Sequence, residues 1–207
     1  SEDSFWLAAL APYTKGAVCD MGCGTGAVGL GYLTTHRNTQ NLWGFDVQPD
    51  MVHAANKAAT TNDLNAHFKV GEITAPPFAP ESFALTLANP PFYNPEREMR
   101  ATSPHNKKSK FMHHPLSAWL CAMATLTNIE GHLSLIAHKK DEDILIDLAV
   151  TLGCTLTKAV TLKTAPDKLS KRVILQFVKT KSAAAPEKET IFIYDKATRK
   201  KYLKEAP

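Results

Sequence analysis

Short apolar runs alternate with helical patterns through the first three quarters of the chain, and this alternation constrains the fold more than any other feature. The predicted strands are 17–21, 42–45, 67–70, 83–88 and 132–137, and the predicted helices are 4–10, 26–35, 50–61, 115–128 and 141–152. Strands separated by helices form parallel sheets covered on both faces. The runs 157–163 and 172–179 have no helical pattern between them, which predicts a terminal antiparallel hairpin. A solvated connection at 182–188 and a short last strand at 191–194 complete the pattern. We therefore predict an α/β fold with a mostly parallel, seven-stranded sheet.

The composition is that of a globular protein. With 207 residues, 44% hydrophobic and 21% charged, the chain is expected to form one domain over 1–207, with 182–207 as a C-terminal extension. No apolar run approaches the roughly 18 residues of a membrane helix, and the first residues do not resemble a signal peptide. A cytoplasmic protein with no membrane partner is expected. The four cysteines form no C-x-x-C pair, so reduced thiols and no bound metal are expected.

The first predicted strand runs directly into a glycine-rich turn that opens a helix. The glycines Gly22, Gly24 and Gly26 let the backbone turn sharply and let a ligand approach the main chain, where the helix N-terminus offers free N–H groups. Asp46 stands at the end of the second strand, about 20 residues further on, where a carboxylate can accept both hydroxyls of a ribose. Together these features predict an adenosine-ribose site.

The spacing of the glycines distinguishes two classes of adenosine cofactor. Nicotinamide enzymes use G-x-G-x-x-G, whereas here the glycines occupy alternate positions after Asp20. An acid at that point repels a pyrophosphate but not the zwitterionic and sulfonium groups of S-adenosylmethionine. The pattern resembles motif I of class I S-adenosylmethionine-dependent methyltransferases, which implies their Rossmann-like fold, a ribose contact from Asp46 and an adenine contact from Glu72. The predicted cofactor-binding residues are Asp20, Gly22, Cys23, Gly24, Gly26, Asp46, Val47, Glu72, Ile73 and Asn89.

A second motif, Asn89-Pro90-Pro91-Phe92-Tyr93, follows the fourth predicted strand. Two prolines cannot continue a ladder, so they fix a rigid exit that holds Asn89 at the edge of the sheet where α/β proteins bind ligands. A planar exocyclic amine is a weak nucleophile, and the Asn89 side-chain oxygen and Pro90 carbonyl can accept its N–H groups and aim the nitrogen at the methyl. Phe92 can stack on a base swung out of its helix or loop, and Tyr93 can line the pocket. We predict that Asn89, Pro90, Pro91 and Phe92 form the catalytic motif.

This motif resembles the [DNS]-P-P-[FYW] motif of methyltransferases that act on planar nitrogens. These enzymes methylate N6 of adenine in DNA and RNA, N2 of guanine in ribosomal RNA, or N5 of glutamine in release factors. Residues 3–12, 89–95, 133–136 and 171–175, with the long loop that ends at Ser103-Pro104 and then His113, are similar to the bacterial tRNA(Val) adenine-37 N6-methyltransferase family, and the similarity covers nearly the whole chain. The resemblance implies methylation of the adenine next to the anticodon of a tRNA. It also implies residues before Asp3, so a truncated N-terminus is expected.

The net charge of +4 is divided unequally along the chain. Residues 1–104 contain six Lys/Arg and ten Asp/Glu, and residues 105–207 contain 18 and 10, which gives net charges of −4 and +8. Basic side chains beside a substrate mouth hold the phosphates of a nucleic acid, so an RNA partner is expected. The predicted substrate-binding residues are Phe92, Tyr93, Lys107, Lys108, Lys110, Lys171 and Arg172.

Three other functions remain open from the residues. N2-guanine methylation of ribosomal RNA uses the same four-residue motif. Protein-glutamine N5-methyltransferases usually have tyrosine after the prolines and a separate N-terminal helical domain. A non-catalytic S-adenosylmethionine-binding module is the third alternative, against which the intact Asn89 and Phe92 argue.

Overall fold

The central sheet forms from the apolar runs of the sequence. The structure, a computed structural model, describes residues 1–36, 41–91, 114–180 and 184–203. Within these ranges a single sheet contains eight strands. They are β1 (Val18–Met21), β2 (Leu42–Asp46), β3 (Ala66–Val70), β4 (Phe83–Ala88), β5 (Thr127–His138), β6 (Thr155–Lys163), β7 (Arg172–Val178) and β8 (Glu187–Phe192).

Helices cover both faces of this sheet. In the described ranges they are α1 (Glu2–Leu10), α2 (Ala27–Thr35), α3 (Pro49–Thr61), α4 (Leu116–Leu126), α5 (Glu142–Thr151) and α6 (Lys196–Leu203). A short 3-10 turn, Lys139–Asp141, leads into α5. None of these helices has the length and apolarity needed to cross a membrane.

The order of the strands creates a crevice at one edge of the sheet. The order is β3-β2-β1-β4-β5-β7-β6-β8, in which β1 to β5 are parallel and β7 is antiparallel to both β5 and β6. This arrangement confirms the predicted α/β fold with a mostly parallel sheet and an antiparallel hairpin. β1 pairs with β2 on one side and with β4 on the other. The strands that follow β1 are therefore added first to one side of it and then to the other, and the strand order reverses at β1. Ligands of open α/β sheets bind outside the carboxyl ends of the strands at such a point.

The two faces of β1 contribute to two separate cores. Val18 packs with side chains of α1, α2 and α3, whereas Cys19 and Met21 pack with those of α4 and α5. Strands buried on both faces read as continuous apolar runs, which is why β1 was predictable. Asp20 is the polar exception, and its side chain is buried on the α2 side of the sheet.

The predicted last strand joins the sheet as β8, parallel to β6 at the sheet edge, so the described ranges contain eight strands and the predicted count of seven is wrong. Lys158 Nζ of β6 lies 3.0 Å from an Oε of Glu187 and 2.9 Å from an Oε of Glu189. These ion pairs hold Glu187 and Glu189 in the sheet, although Glu187 was predicted to lie in a solvated connection. The strand β8 therefore begins at Glu187 rather than at 191.

One helical boundary and one whole helix also differ from the prediction. The helix predicted over 115–128 ends at Leu126, because the Thr127 hydroxyl lies 2.9 Å from that of Thr86 on β4 and the chain enters the sheet there. The helix α6 has no counterpart among the predicted helices. It packs on α1, where the rings of Tyr202 and Trp6 lie 6.4 Å apart between centroids.

Candidate active site

A cavity of about 520 Å³ lies at the carboxyl ends of β1, β2, β3 and β4. Sites for small organic cofactors have volumes of roughly 300–1,000 Å³. The lining consists of Gly22, residues 45–51, residues 71–73, Asn89, Pro91, His114 and Trp119. Six predicted cofactor-binding residues therefore face one space, namely Gly22, Asp46, Val47, Glu72, Ile73 and Asn89. The other four, which lie outside the lining, are Asp20, Cys23, Gly24 and Gly26.

The glycine turn after β1 has a left-handed backbone at three positions. The φ angles are +65° at Gly22, +52° at Gly24 and +83° at Gly26. At Gly22 the space is also closed, since a Cβ there would lie 2.3 Å from Cη2 of the Trp119 ring. Glycine is therefore required at Gly22 by both backbone conformation and packing, and Trp119 forms a wall of the cavity beside it.

Gly22→Ala is expected to lower the free energy of unfolding by about 3 kcal/mol and to weaken cofactor binding about tenfold or more. A left-handed alanine costs roughly 1–2 kcal/mol, and displacing the Trp119 ring adds a packing cost of similar size. Because that ring lines the cavity, its movement also alters the binding surface. Urea unfolding and calorimetric titration with S-adenosylmethionine measure the two effects.

Gly153→Ala is the matched control. Gly153 also has a left-handed φ, +74°, but a Cβ there would have nothing within 4 Å, and the residue is not in the cavity lining. The control is expected to cost about 1 kcal/mol and to leave cofactor affinity unchanged. If both variants lost the same stability and bound the cofactor equally, the contact with Trp119 would have no role.

Asp20 lies beneath the glycine turn rather than in the cavity. Its Oδ2 accepts a hydrogen bond of 2.8 Å from the Gly29 N–H of α2, and its Oδ1 has no partner among the described residues. Burial raises the pKa of Asp20 to about 7, the Gly29 hydrogen bond opposes this shift, and the charge of Asp46 adds to it. The predicted direct contact of the Asp20 carboxylate with the cofactor is therefore replaced by a bracing contact with α2.

Asp46 joins the glycine turn to the end of β2. Its Oδ2 accepts a 2.9 Å hydrogen bond from the Gly24 N–H, and its Oδ1 accepts a 2.9 Å hydrogen bond from the Gln48 N–H. These bonds fix the carboxylate on the cavity wall, where the remaining lone pairs can accept hydroxyl groups. The geometry therefore suits the predicted ribose contact.

Glu72 has a partner that the sequence did not reveal. His114 Nε2 lies 2.6 Å from Glu72 Oε1, and both side chains line the cavity. The two residues are far apart in the chain, so only the fold brings them together. In the sequence, His114 is the second of two adjacent histidines, and no local pattern links it to Glu72.

Acidic side chains dominate the charge of this cavity. Asp46, Asp50 and Glu72 line it, and no lysine or arginine is among the lining residues that the structure describes. A pyrophosphate would face three carboxylates without a cationic partner, whereas a sulfonium and an ammonium group would be attracted. The preference for a cofactor with positively charged groups over a pyrophosphate was predicted from Asp20. In the structure it comes from Asp46, Asp50 and Glu72.

Asn89 lies at the rim of the cavity, directly after β4. Its side-chain Nδ2 donates a 3.0 Å hydrogen bond to Ser4 Oγ and a longer one of 3.5 Å to Ser1 Oγ. Pro90 is buried, and Pro91 is exposed and lines the cavity next to Asn89. Both amide hydrogens thus face α1, and the side-chain oxygen remains as the group that can accept a hydrogen bond.

Several predicted substrate-binding residues lie outside the described ranges, namely Phe92, Tyr93, Lys107, Lys108 and Lys110. Lys171 and Arg172 are at the same edge of the sheet as the cavity, since β7 begins where β5 ends. Lys171 is exposed.

The guanidinium of Arg172 has protein partners. Its Nε donates to Asp3 Oδ2 at 3.0 Å, and its Nη1 lies 2.8 Å from His138 Nδ1. Burial, together with the charge of Arg172, lowers the pKa of His138, which favours the neutral imidazole that can accept this hydrogen bond. Arg172 thus ties the start of α1 to the end of β5.

The two cysteines near the turn lie in an environment that disfavours their thiolates. Burial raises the pKa of both Cys19 and Cys23, which keeps the thiols protonated. The Cys23 thiol donates to the Gly24 carbonyl, and the Cys23 N–H donates to the Phe45 carbonyl at 3.0 Å. In the described parts of the chain, no three His, Cys, Asp or Glu side chains converge as a metal site would require.

Comparison with known families agrees with this geometry. Residues 18–103 match a family model described as a methyltransferase domain. The match contains β1 to β4, the glycine turn and the Asn-Pro-Pro motif. A search of curated proteins finds no match.

Solved structures share the fold. A predicted O-methyltransferase from Agrobacterium tumefaciens superposes with a TM-score of 0.67 at 14% identity, over 91% of this chain and 84% of that chain. A class I S-adenosylmethionine-dependent methyltransferase from Listeria monocytogenes, also assigned by prediction, gives 0.66 at 14% identity, over 98% and 67%. A predicted RNA methyltransferase from Pyrococcus horikoshii gives 0.60 at 17% identity, over 87% and 82%.

The fold is the one shared by class I S-adenosylmethionine-dependent methyltransferases, and residues 18–103 match a methyltransferase domain. S-adenosylmethionine is the cofactor that this fold and this site indicate. The residues fit this cofactor, because the cavity has a suitable volume, an acidic lining and an open space beside Gly24, where a Cβ would meet no atom within 4 Å. When bound, the sulfonium supplies an electrophilic methyl group.

Proposed function

We propose that this protein methylates the exocyclic N6 of an adenine in RNA, and that its substrate is adenine 37 of a valine tRNA. The observation that carries the proposal is the position of Asn89. This residue lines the cofactor cavity at the end of β4, between two rigid elements, β4 and Pro90-Pro91. The resemblance of the sequence to the tRNA(Val) adenine-37 family supplies the choice of nucleotide.

The chemistry of the acceptor explains why an asparagine suits this position. The lone pair of an adenine amine is delocalised into the ring, so the amine attacks poorly unless it is aligned with the methyl group. The Asn89 oxygen and the Pro90 carbonyl would each accept one N–H and aim the nitrogen. A strong base is not required, because the amine proton becomes acidic as the C–N bond forms.

Basic residues at the same edge of the sheet support an RNA substrate. Lys140 follows β5, Lys163 ends β6, and Lys168 and Lys171 lie in the β6–β7 connection. Three of them, Lys140, Lys168 and Lys171, are exposed. Because β5 and β6 run in the same direction, their ends reach the edge at which Asn89 lies. Lysines in this position can contact phosphates while the base enters the cavity.

A methyl-labelling experiment tests the proposal. The protein is incubated with S-adenosylmethionine carrying a deuterated methyl group and, separately, with total tRNA, ribosomal RNA and a protein extract from a cell lacking the enzyme. Mass spectrometry of the digests then identifies the labelled nucleoside or amino acid. We expect labelled N6-methyladenosine from tRNA, located at position 37 of valine tRNA.

The other outcomes identify the alternatives. Labelled N2-methylguanosine from ribosomal RNA, or labelled N5-methylglutamine from protein, would overturn the adenine assignment. Tight cofactor binding without labelling in any of the three pools would favour a binding module. The structural neighbour described as an RNA methyltransferase makes the RNA pools the first to examine.

A further inference from the structure

The amide of Asn89 is held from one side by the first helix. Ser4 Oγ accepts a 3.0 Å hydrogen bond from Asn89 Nδ2, and Ser4 is only 5% exposed. Ser4 Oγ also lies 3.0 Å from Ser1 Oγ, so its own hydroxyl hydrogen can point away from Asn89. The Ser4 oxygen is therefore free to act as the acceptor for the amide.

The helix that carries Ser4 is tied to the sheet at both ends. Near its start, Asp3 Oδ2 accepts from Arg172 Nε at 3.0 Å. At its end, the Leu10 carbonyl accepts from Gln176 Nε2 at 2.6 Å. Both partners are on β7, so α1 has little freedom to slide relative to the sheet. A group on α1 can therefore hold a fixed position relative to Asn89 at the end of β4.

We propose that Ser4 is a positioning residue that sets the orientation of the Asn89 amide and thereby restricts the methyl acceptor to a group that donates a hydrogen bond. The inference rests on the proposed function and deepens it. With the nitrogen bonded to Ser4, the Asn89 side chain presents an oxygen to the acceptor. An exocyclic amine or amide N–H matches that oxygen, whereas a ring nitrogen or carbonyl oxygen is repelled by it.

A double-mutant cycle tests this role. Ser4→Ala is expected to reduce the single-turnover methylation rate about tenfold with the S-adenosylmethionine Kd unchanged, because the amide loses its partner and rotates. In the Asn89→Ala background the same substitution is expected to have no further effect on the rate. A residue with only a structural role would slow the reaction equally in both backgrounds, and that result would overturn the proposal.

Two further variants separate orientation from folding. Ser4→Thr retains the hydroxyl and is expected to stay closer to the wild-type rate than Ser4→Ala. Ser134→Ala removes another buried serine hydroxyl, on β5, that has no hydrogen-bond partner among the described residues. It is expected to leave the rate unchanged. A rate loss in Ser134→Ala as large as that in Ser4→Ala would assign the effect to packing and overturn the proposal.

A spectroscopic arm does not depend on the identity of the substrate. In protein labelled with ¹⁵N-asparagine, the Asn89 side-chain NH₂ signal, assigned with Asn89→Asp, is expected to exchange slowly with water and to lose this protection in Ser4→Ala. Rapid exchange in the wild-type protein would overturn the proposal even if adenine is methylated. Slow exchange lost in Ser4→Ala would support it even if the labelled product is guanine or glutamine.

Discussion

Replacing Asn89 with alanine is expected to slow methyl transfer by roughly two to three orders of magnitude, which is the usual cost of removing one preorganised polar contact to a reacting group. Asn89 lies at the rim of the cavity and is not part of a hydrophobic core, so its replacement by alanine should change cofactor affinity little. Single-turnover kinetics with saturating cofactor and tRNA measure the rate, and calorimetry measures the S-adenosylmethionine Kd. A lower kcat with an unchanged Kd would place the lost interaction in the transition state.

Asn89→Asp is the informative control for this loss. A carboxylate retains an oxygen for the acceptor N–H, and Ser4 can reverse its role and donate to the second oxygen. This variant should therefore be faster than Asn89→Ala. Near-normal turnover in Asn89→Ala would show that Asn89 does not assist methyl transfer. Equal rates in Asn89→Ala and Asn89→Asp would show that the side-chain oxygen is not the group that assists it.

The fold was predictable because its strongest signals are local. The β1 run is apolar except at Asp20, the glycine turn follows it directly, and the prolines after β4 end that strand. Each of these features lies within a few residues of the chain. The last strand was predicted at 191–194, but its start at Glu187 was missed because the first residues of β8 depend on the pairing of Glu187 and Glu189 with Lys158 on a distant strand.

The same distinction applies to the candidate site. Asp46, Glu72 and Asn89 each follow a parallel strand, so the sequence alone places them at one edge of the sheet, and in the structure they line one cavity. His114 lines that cavity 42 residues along the chain from Glu72, and Ser4 bonds Asn89 from 85 residues away; no spacing rule anticipates such contacts. Their roles follow only from the packing of α1 and of the segment before α4.

The buried position of Asp20 gives this motif residue a different role from the one that the sequence predicts. As sequence, it is the acid that begins motif I and was expected to touch the cofactor. In the structure it is 1% exposed, with one oxygen bonded to Gly29 and one without a described partner. Removing a carboxylate from water disfavours its charged form, so the pKa rises to about 7 against an ordinary value of 3.8.

This shift predicts a specific dependence of stability on pH. Below about pH 4 the carboxyl is protonated in both the folded and the unfolded chain, and it imposes no penalty. Between pH 4 and 7 the unfolded chain loses the proton while the folded chain retains it, so the contribution of Asp20 to stability falls as the pH rises. Above pH 7 both forms are ionised and the penalty is constant.

Asp20→Asn is therefore expected to become more stable relative to the wild-type protein as the pH rises from 4 to 8, by roughly 4 kcal/mol, because each pKa unit corresponds to about 1.4 kcal/mol. Asparagine keeps an oxygen for the Gly29 N–H and mimics the neutral acid. Urea unfolding of both proteins at pH 4, 6 and 8 measures the difference. Asp147→Asn, at an exposed position of α5, is the matched control and should not reproduce the gain. A stability difference between Asp20→Asn and wild type that stays constant from pH 4 to 8 would show that the buried carboxyl titrates as it does in the unfolded chain.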